Sequence, residues 1–305
     1  MRILIVGAGA TGGYFGARLL DAGRDATFLV RPARAAQLAA EGLTIDSPCG
    51  NLHIANPPGT LRPEHPYDLI VLSCKAQDLA GAMDSLAPAV GPDSAILPLL
   101  NGMAHMQALD QRFGAEHVLG GATNISSVRT PEGRILHLNT VHRLYFGDRT
   151  TPTSPRLERI AAALADANFE SHLRPDIQHD LWQKWVAIAT AAGITCLMRA
   201  AAGDIVAAGA GPLIHQLLDE NASIASAEGF PPQPQFLAET LGFLTRPGSR
   251  FTASMLRDIE SNHPIEAQAI IGDLLALAHR HALPVPLLTV VDAHLRAYEA
   301  RRRHP

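Results

Sequence analysis

The first half of the chain alternates short, wholly apolar runs with segments of helical periodicity. The apolar runs lie at Ile3–Val6, Ala26–Val30, Leu69–Ser73 and Ala95–Leu100. Continuous runs of this kind are typical of strands that a parallel sheet buries on both faces. Between the first two, Thr11–Ala22 has the apolar spacing of an amphipathic helix. The pattern therefore predicts a βαβ unit within a doubly wound parallel sheet.

The pattern changes about midway along the chain. Three further strands are predicted at Ile125–Val128, Ile135–Leu138 and His142–Asp148, the first two joined by a turn at 130–133. Beyond Pro175, strand-like runs almost vanish and Ala- and Leu-rich helical segments take over. The expected fold class is α/β. An N-terminal Rossmann domain with a doubly wound parallel sheet is expected at residues 1–175, and an all-helical C-terminal domain at residues 176–305.

Composition narrows the class of protein. The 305 residues leave room for two domains of ordinary size, and 29 acidic against 25 basic residues exclude a generally basic nucleic-acid-binding protein. Three widely spaced cysteines without a CxxC pair argue against a disulfide scaffold. No apolar run reaches the roughly 18 residues of a membrane span. We expect a cytoplasmic protein with neither a nucleic-acid nor a membrane partner.

A glycine motif follows the first predicted strand and opens the first helix. In GxGxxG, the first glycine permits a tight turn, the second lets the backbone approach a pyrophosphate, and the third allows close packing of the helix. The helix N-terminus then faces the phosphates. The sequence therefore predicts a dinucleotide site that includes Gly7, Gly9, Ala10, Thr11 and Gly12.

The end of the second strand indicates which dinucleotide is bound. An NAD site usually carries an acid about 20 residues after the loop, to hold the ribose 2′-hydroxyl. Here Arg31 stands 19 residues after Gly12, with no acid at that place. A guanidinium binds a 2′-phosphate well, so NADP(H) is the predicted cofactor. Arg34, in the same segment, is as readily interpreted as a solvated helix charge.

Histidine spacing gives no sign of a metal site. Among 14 histidines, His279 and His281 form the only close pair, and their i, i+2 spacing directs them to different faces of a helix. No cysteine or acid stands at ligand spacing from them. We therefore predict no metal.

Further short motifs follow one another in order along the chain. They are Ser73-Cys74-Lys75, Leu97-Pro98-Leu99-Leu100-Asn101-Gly102, Leu181-Trp182-Gln183-Lys184, Ser254-Met255-Leu256-Arg257-Asp258-Ile259, and Glu266 followed by Gly272. With the glycine motif and Arg31, they resemble the ketopantoate reductase (2-dehydropantoate 2-reductase) family over nearly the whole length. The resemblance implies NADPH-dependent reduction of a 2-oxo acid to a 2-hydroxy acid. It specifically implies reduction of ketopantoate to pantoate, a step of pantothenate biosynthesis.

The resemblance also implies a catalytic pair, Lys184 and Glu266. Lys184 borders an apolar helical stripe formed by Leu181, Trp185, Ile188 and Ala192. Periodicity alone fits a snorkelling lysine on a helix flank, whereas the resemblance makes Lys184 the general acid. Glu266 would bind substrate hydroxyls. It would otherwise be a first-turn carboxylate of a helix that begins at Pro264.

Three more residues acquire roles through the resemblance, each with a plainer alternative. Asn101 would position nicotinamide and substrate, or simply form a turn. Ser254 would hold the substrate carboxylate, or simply stand at the start of a helix. Lys75 would contact a cofactor phosphate or ribose, or be a surface lysine.

Some positions depart from the family pattern. Leu100, Ile188, Ala192 and Phe251 stand where the family has amides. An apolar site suits an apolar side chain, so a less polar 2-oxo acid is an alternative substrate. A catalytically silent NADP-binding sensor and a β-hydroxyacid dehydrogenase are the other hypotheses. Apolar helices in the second half are also compatible with a homodimer.

Overall fold

The computed structural model describes residues 1–303 and divides the chain into two compact units. The first consists of Met1–Leu100 and His105–Gln178, and the second of Asn101–Ala104 together with the chain from His179 onward. The four residues Asn101–Ala104 thus belong to the second unit, although the chain on both sides of them belongs to the first. The sequence predicts a single domain boundary near Pro175 and does not predict that Asn101–Ala104 belongs to the second unit.

The first unit contains ten strands. They are β1 (Ile3–Val6), β2 (Ala26–Leu29), β3 (Leu43–Asp46), β4 (Leu52–Ile54), β5 (Gly59–Thr60), β6 (Leu69–Leu72), β7 (Ala95–Pro98), β8 (Gly120–Arg129), β9 (Ile135–Gly147) and β10 (Glu170–Leu173). Five of them form a wholly parallel sheet in the order β5-β2-β1-β6-β7. The four apolar runs form four of its five strands, and the Rossmann prediction is confirmed.

Five helices accompany these strands. They are α1 (Ala10–Asp21), α2 (Pro32–Glu41), α3 (Leu79–Leu86), α4 (Ala104–Phe113) and α5 (Pro155–Leu164). Helix α1 packs on β1 and β2 on one side and on β3, β4, β8 and β9 on the other. It therefore lies between the parallel sheet and a second sheet, and Phe15 and Leu19 are buried there.

The second sheet differs from the sequence prediction. Its order is β10-β9-β3-β4, with β8 paired to β9. The predicted hairpin is confirmed, but His142–Asp148 is not a separate strand, because β9 continues through it with a bulge. Strands β3, β4 and β10 were not predicted. They are short and partly polar, and their pairing with other strands of the sheet stabilises them.

The second unit is helical, as predicted. Its helices are α6 (Ile177–Met198, whose first two residues belong to the first unit), α7 (Ala202–Ala207), α8 (Gly211–Ala227), α9 (Pro234–Leu244), α10 (Ser254–Glu260), α11 (Asp273–Arg280) and α12 (Pro286–Arg303). A π-helical turn, Gln268–Gly272, leads directly into α11. Within residues 1–303, no helix combines the length and apolarity that a bilayer crossing needs.

One helix start differs from the prediction. Pro264 is not helical. The helix begins at Ala267, and Glu266 immediately precedes it. The N–H of Ile265 donates instead to the Glu299 carboxylate at 2.9 Å. This long-range bond holds the preceding segment outside the helix.

Candidate active site

The glycine loop lies between β1 and α1, at the carboxyl edge of the parallel sheet. Gly7 has a φ of +97°, which favours glycine, and its N–H donates to Leu29 O at 2.9 Å. Gly9 is the N-cap of α1, and a Cβ there would meet no described atom within 4 Å. The first turn of α1 includes Ala10 and Thr11, which are both half-exposed. This turn contains no acidic residue, and no side chain of the described chain caps it. The loop thus presents N–H groups without negative charge to an anion.

Close packing constrains the third glycine of the loop. A Cβ on Gly12 would overlap Ser73 Oγ and Gly7 O. Ser73 follows β6, and its hydroxyl donates to Val6 O at 3.1 Å. The serine therefore ties the end of one strand to the turn after its neighbour, a positioning role that the motif alone did not reveal.

Arg31 follows β2 and is the N-cap of α2. Its side chain is 76% exposed and pairs with Asp78 at 2.5 Å. The hydrogen bond and charge of Asp78 raise the pKa of the Arg31 guanidinium. Lys75 is exposed at the N-cap of the 3₁₀ turn Ala76–Asp78. Arg31 is thus accessible for a 2′-phosphate, with a carboxylate beside it.

Arg34 is not a solvated helix charge. Its half-buried guanidinium donates to Ala8 O at 3.1 Å and to Gly133 O at 3.0 Å. Burial lowers the pKa of Arg34, and the nearby Arg129 charge adds to the effect. Arg34 therefore links the glycine loop to the hairpin turn, and its role is structural.

In the second unit, Lys184 lies half-buried on α6, beside the buried Leu181 and Trp185. Burial lowers the pKa of Lys184 to about 8, and the negative charge of Glu266 opposes part of this shift. An ordinary lysine has a pKa of about 10.4. At neutral pH Lys184 therefore stays protonated but gives up its proton far more readily, as a general acid requires.

The choice of lysine at this position is itself a signal. Among the 25 basic residues, only Lys75 and Lys184 are lysines, and the rest are arginines. An arginine side chain does not lose its proton in proteins, whereas burial readily changes the pKa of a lysine. Both lysines of this arginine-rich chain thus stand within motifs of the resemblance.

Glu266 meets Asn101, although 165 residues separate them along the chain. Asn101 Nδ2 donates to Glu266 Oε2 at 3.4 Å. Gly102 permits this approach, because its φ is +77° and a Cβ there would overlap Ala269 O. The second unit therefore brings together Lys184, Glu266 and Asn101.

The π-helical turn anchors this group. Trp185, the residue after Lys184, donates from Nε1 to Ile270 O at 2.9 Å in a buried hydrogen bond. Ile270 lies within the π turn that follows Glu266. A π turn inside a helix often occurs at a functional site. Here the bond holds the helix of Lys184 against the segment of Glu266.

Ser254 lies on a different element of the second unit. It is the exposed first residue of α10, and Ala253 is the N-cap. This position agrees with the plainer alternative, a serine at the start of a helix. Its hydroxyl is open to solvent at the start of this helix.

The apolar replacements differ in exposure. Ala192 and Leu100 are 3% and 5% exposed and belong to the core. Ile188 and Phe251 are half-buried against the helical core, and Phe251 stacks edge-on with Phe243 at 4.9 Å between centroids. Of the four, Ile188 and Phe251 retain surface that could touch a ligand.

Models of one protein family match both units of the chain. The family model described as ketopantoate reductase PanE/ApbA matches residues 3–151, and the corresponding C-terminal model matches residues 176–299. The uncharacterized oxidoreductase YkpB of Bacillus subtilis is 35% identical over 303 residues, which cover 99% of this chain and 100% of that protein.

Solved structures agree with the family models. A 2-dehydropantoate 2-reductase from Geobacter metallireducens has 29% identity and a TM-score of 0.89, over 97% of this chain and 99% of that chain. D-mandelate dehydrogenase, solved with NADH and anilino(oxo)acetate, has the same fold at a TM-score of 0.89, with 19% identity over 99% of this chain and 100% of that chain. The glycine loop and Arg31 fit a dinucleotide with a 2′-phosphate. The chain therefore belongs to the ketopantoate reductase PanE/ApbA family and is an NADP-dependent oxidoreductase that reduces a 2-oxo acid.

Proposed function

We propose that this protein reduces 2-dehydropantoate (ketopantoate) to pantoate, with Lys184 as the general acid. One observation carries the assignment of the acid. Lys184 is a half-buried lysine with a pKa of about 8, in a group with Glu266 and Asn101. A proton donor with a pKa near the working pH is the group that carbonyl reduction needs.

The chain's own residues divide the work between binding and proton transfer. The pyrophosphate is held by the glycine loop (Gly7, Gly9 and Gly12) and by the first turn of α1. The 2′-phosphate is held by Arg31, and Lys75 contacts a phosphate or ribose of the cofactor. Bound NADPH supplies the hydride that adds to C2 of the substrate. Lys184 protonates the oxygen on that carbon, so the negative charge does not accumulate there.

Three polar residues orient the substrate. Glu266 accepts hydrogen bonds from substrate hydroxyls and favours the protonated form of Lys184 through its charge. Asn101 is held by Glu266 and retains donor and acceptor capacity for substrate and nicotinamide. Ser254 offers an exposed hydroxyl to the substrate carboxylate.

A less polar 2-oxo acid is the second candidate substrate. The half-buried Ile188 and Phe251 favour it, because hydrocarbon there cannot satisfy a buried substrate hydroxyl. The fold does not decide between the two, since a D-mandelate dehydrogenase has it as well. A homodimer remains a prediction.

The test is NADPH oxidation by the full chain against a panel of 2-oxo acids. The panel contains ketopantoate, straight-chain and branched aliphatic 2-oxo acids, and an aromatic 2-oxo acid. The proposal expects the highest kcat/KM with ketopantoate. A preference for an aliphatic or aromatic acid would establish the second candidate. No oxidation with any acid would indicate a silent NADP-binding sensor.

Glu266→Gln is expected to move the alkaline limb of the pH–rate profile to lower pH. The carboxylate raises the pKa of Lys184, so its loss lowers that pKa and leaves less of the acid protonated. Turnover at pH 8 should fall several-fold, with a smaller loss at pH 6. Glu260→Gln, at the exposed end of α10, is the matched control and should leave the profile in place. An unshifted limb in Glu266→Gln would contradict the coupling.

Asp78→Asn is expected to tighten NADPH binding by about threefold, because an exposed ion pair competes only weakly for Arg31. NADH lacks the 2′-phosphate, so its affinity should not change. Titration of cofactor fluorescence measures both dissociation constants. Asp84→Asn, in the exposed pair with Arg112, is the control. An equal gain for both cofactors would show that Arg31 does not bind the 2′-phosphate.

A further inference from the structure

A cysteine and two histidines come together in the first unit. One ligand atom from each of Cys49, His137 and His142 lies within 4.8 Å of the other two. Cys49 belongs to the loop between β3 and β4, and both histidines belong to β9. We propose that these three side chains form a binding site for a divalent metal ion of the zinc type.

The bulge in β9 brings the side chains of His137 and His142 together. Residues five apart on a regular strand point to opposite faces. Here Ile125 pairs with His142 and Ser127 pairs with His137, so four residues of β9 stand opposite one residue of β8. The two imidazole rings consequently lie 5.7 Å apart and nearly parallel. A bulge of this kind redirects side chains, and bulges are frequent beside functional sites.

A turn holds the cysteine against the same bulge. The N–H of Cys49 donates to Ser47 Oγ at 3.0 Å, and the buried Arg18 donates to Gly50 O at 2.5 Å. The half-buried thiol of Cys49 faces Thr140 O, within the bulge, at 3.6 Å. The β3–β4 loop and the bulge therefore place the thiol of Cys49 close to the two imidazoles.

The outer nitrogens of both imidazoles already have partners. His137 Nε2 lies 3.0 Å from Val141 O, so an N–H donated there leaves Nδ1, now 2.9 Å from Ser47 Oγ, to bind a metal. His142 Nδ1 lies 2.8 Å from the buried Tyr14 hydroxyl, which leaves Nε2 as its ligand atom. Histidines that bind metals usually have the second nitrogen hydrogen-bonded in this way.

The donor set selects the metal. One thiolate and two imidazoles suit zinc, whose tetrahedral ligand atoms lie roughly 3.3–3.8 Å apart at bond lengths of about 2.0–2.3 Å. The three atoms therefore need to approach by about 1 Å, with a water as fourth ligand. On binding, Cys49 releases its proton to solvent and the sulfur forms the bond to the metal.

Cobalt titration of the full chain, freed of metal with a chelator, tests the site. Co²⁺ should produce a thiolate-to-metal charge-transfer band in the near ultraviolet and the visible bands of a four-coordinate ion. One equivalent of Zn²⁺ should remove both. Cys49→Ser should lose the charge-transfer band. His142→Asn should raise the dissociation constant by at least tenfold, and Tyr14→Phe by about tenfold.

Two matched variants serve as controls. Cys74→Ser removes the other half-buried cysteine of the first unit, and His172→Gln removes a partly exposed histidine of β10. Both should bind Co²⁺ as the unaltered chain does, and circular dichroism verifies the fold of every variant. The proposal is overturned if the unaltered chain shows no thiolate band, or if the band survives in Cys49→Ser. The readout is metal binding, so it is independent of reductase activity.

Discussion

Lys184→Ala is expected to lower kcat by about 10²–10⁴-fold, the usual contribution of general acid catalysis. The alanine cannot protonate the oxygen that becomes negatively charged during reduction. The dissociation constant of NADPH should remain nearly unchanged, because the residues predicted to hold its phosphates belong to the first unit. Steady-state NADPH oxidation measures kcat, and fluorescence titration measures binding. Turnover within threefold of the unaltered enzyme would show that the assigned acid is wrong.

Lys184→Arg separates proton transfer from simple charge stabilisation. An arginine retains the positive charge but does not give up its proton. If Lys184 acts as an acid, this variant should lose nearly as much activity as the alanine variant. The unaltered enzyme should also lose turnover above pH 8, about tenfold per pH unit, as Lys184 deprotonates. Near-normal turnover in Lys184→Arg would reduce the role of the lysine to its charge.

Gly9→Ala and Gly12→Ala are expected to impair NADPH binding in different ways. The Gly9 backbone suits alanine, with a φ of −84°, and the space for a Cβ is open. The methyl group should therefore leave the melting temperature unchanged while it obstructs the pyrophosphate, and the dissociation constant should rise by at least tenfold. At Gly12 the methyl group overlaps the loop itself. Overpacking of this kind costs about 1–3 kcal/mol, so stability and affinity should both fall.

Gly81→Ala is the control for both substitutions. Gly81 lies on α3, and a Cβ there meets no described atom within 4 Å. The substitution should leave NADPH binding unchanged and slightly stabilise the helix. Thermal unfolding and fluorescence titration compare the three variants. Unaltered affinity in Gly9→Ala would mean that the pyrophosphate does not approach this glycine.

Local composition predicted the parts of the fold that are buried on all sides. Strands β1, β2, β6 and β7 are predictable because an apolar run is sufficient to identify a strand that a parallel sheet buries on both faces. Strands such as β3 and β10 were missed. Buried and half-exposed residues alternate in β3, and no residue of β10 is buried, so neither has a continuous apolar run. Pairing with β4 and β9 stabilises β3, and pairing with β9 stabilises β10. The same limit explains the misplaced helix start near Glu266, where a bond to Glu299 holds Ile265 outside the helix.

The candidate sites show where prediction from sequence ends. Motifs identified Lys184, Glu266 and Asn101 singly. Their meeting depends on the left-handed backbone of Gly102 and on the π turn. The metal-ligand cluster had no counterpart in sequence spacing, because a bulge and a distant loop assemble it.

The sequence by itself determined the cofactor class, the two-part α/β and helical architecture and the family, since these follow from short motifs and from apolar periodicity. Only the tertiary structure decided the lowered pKa of Lys184, the partners of Arg31 and Arg34, and the junction of Cys49 with His137 and His142. Each of these depends on which distant groups exclude water or supply charge and hydrogen bonds. Such neighbours are set by packing rather than by order along the chain.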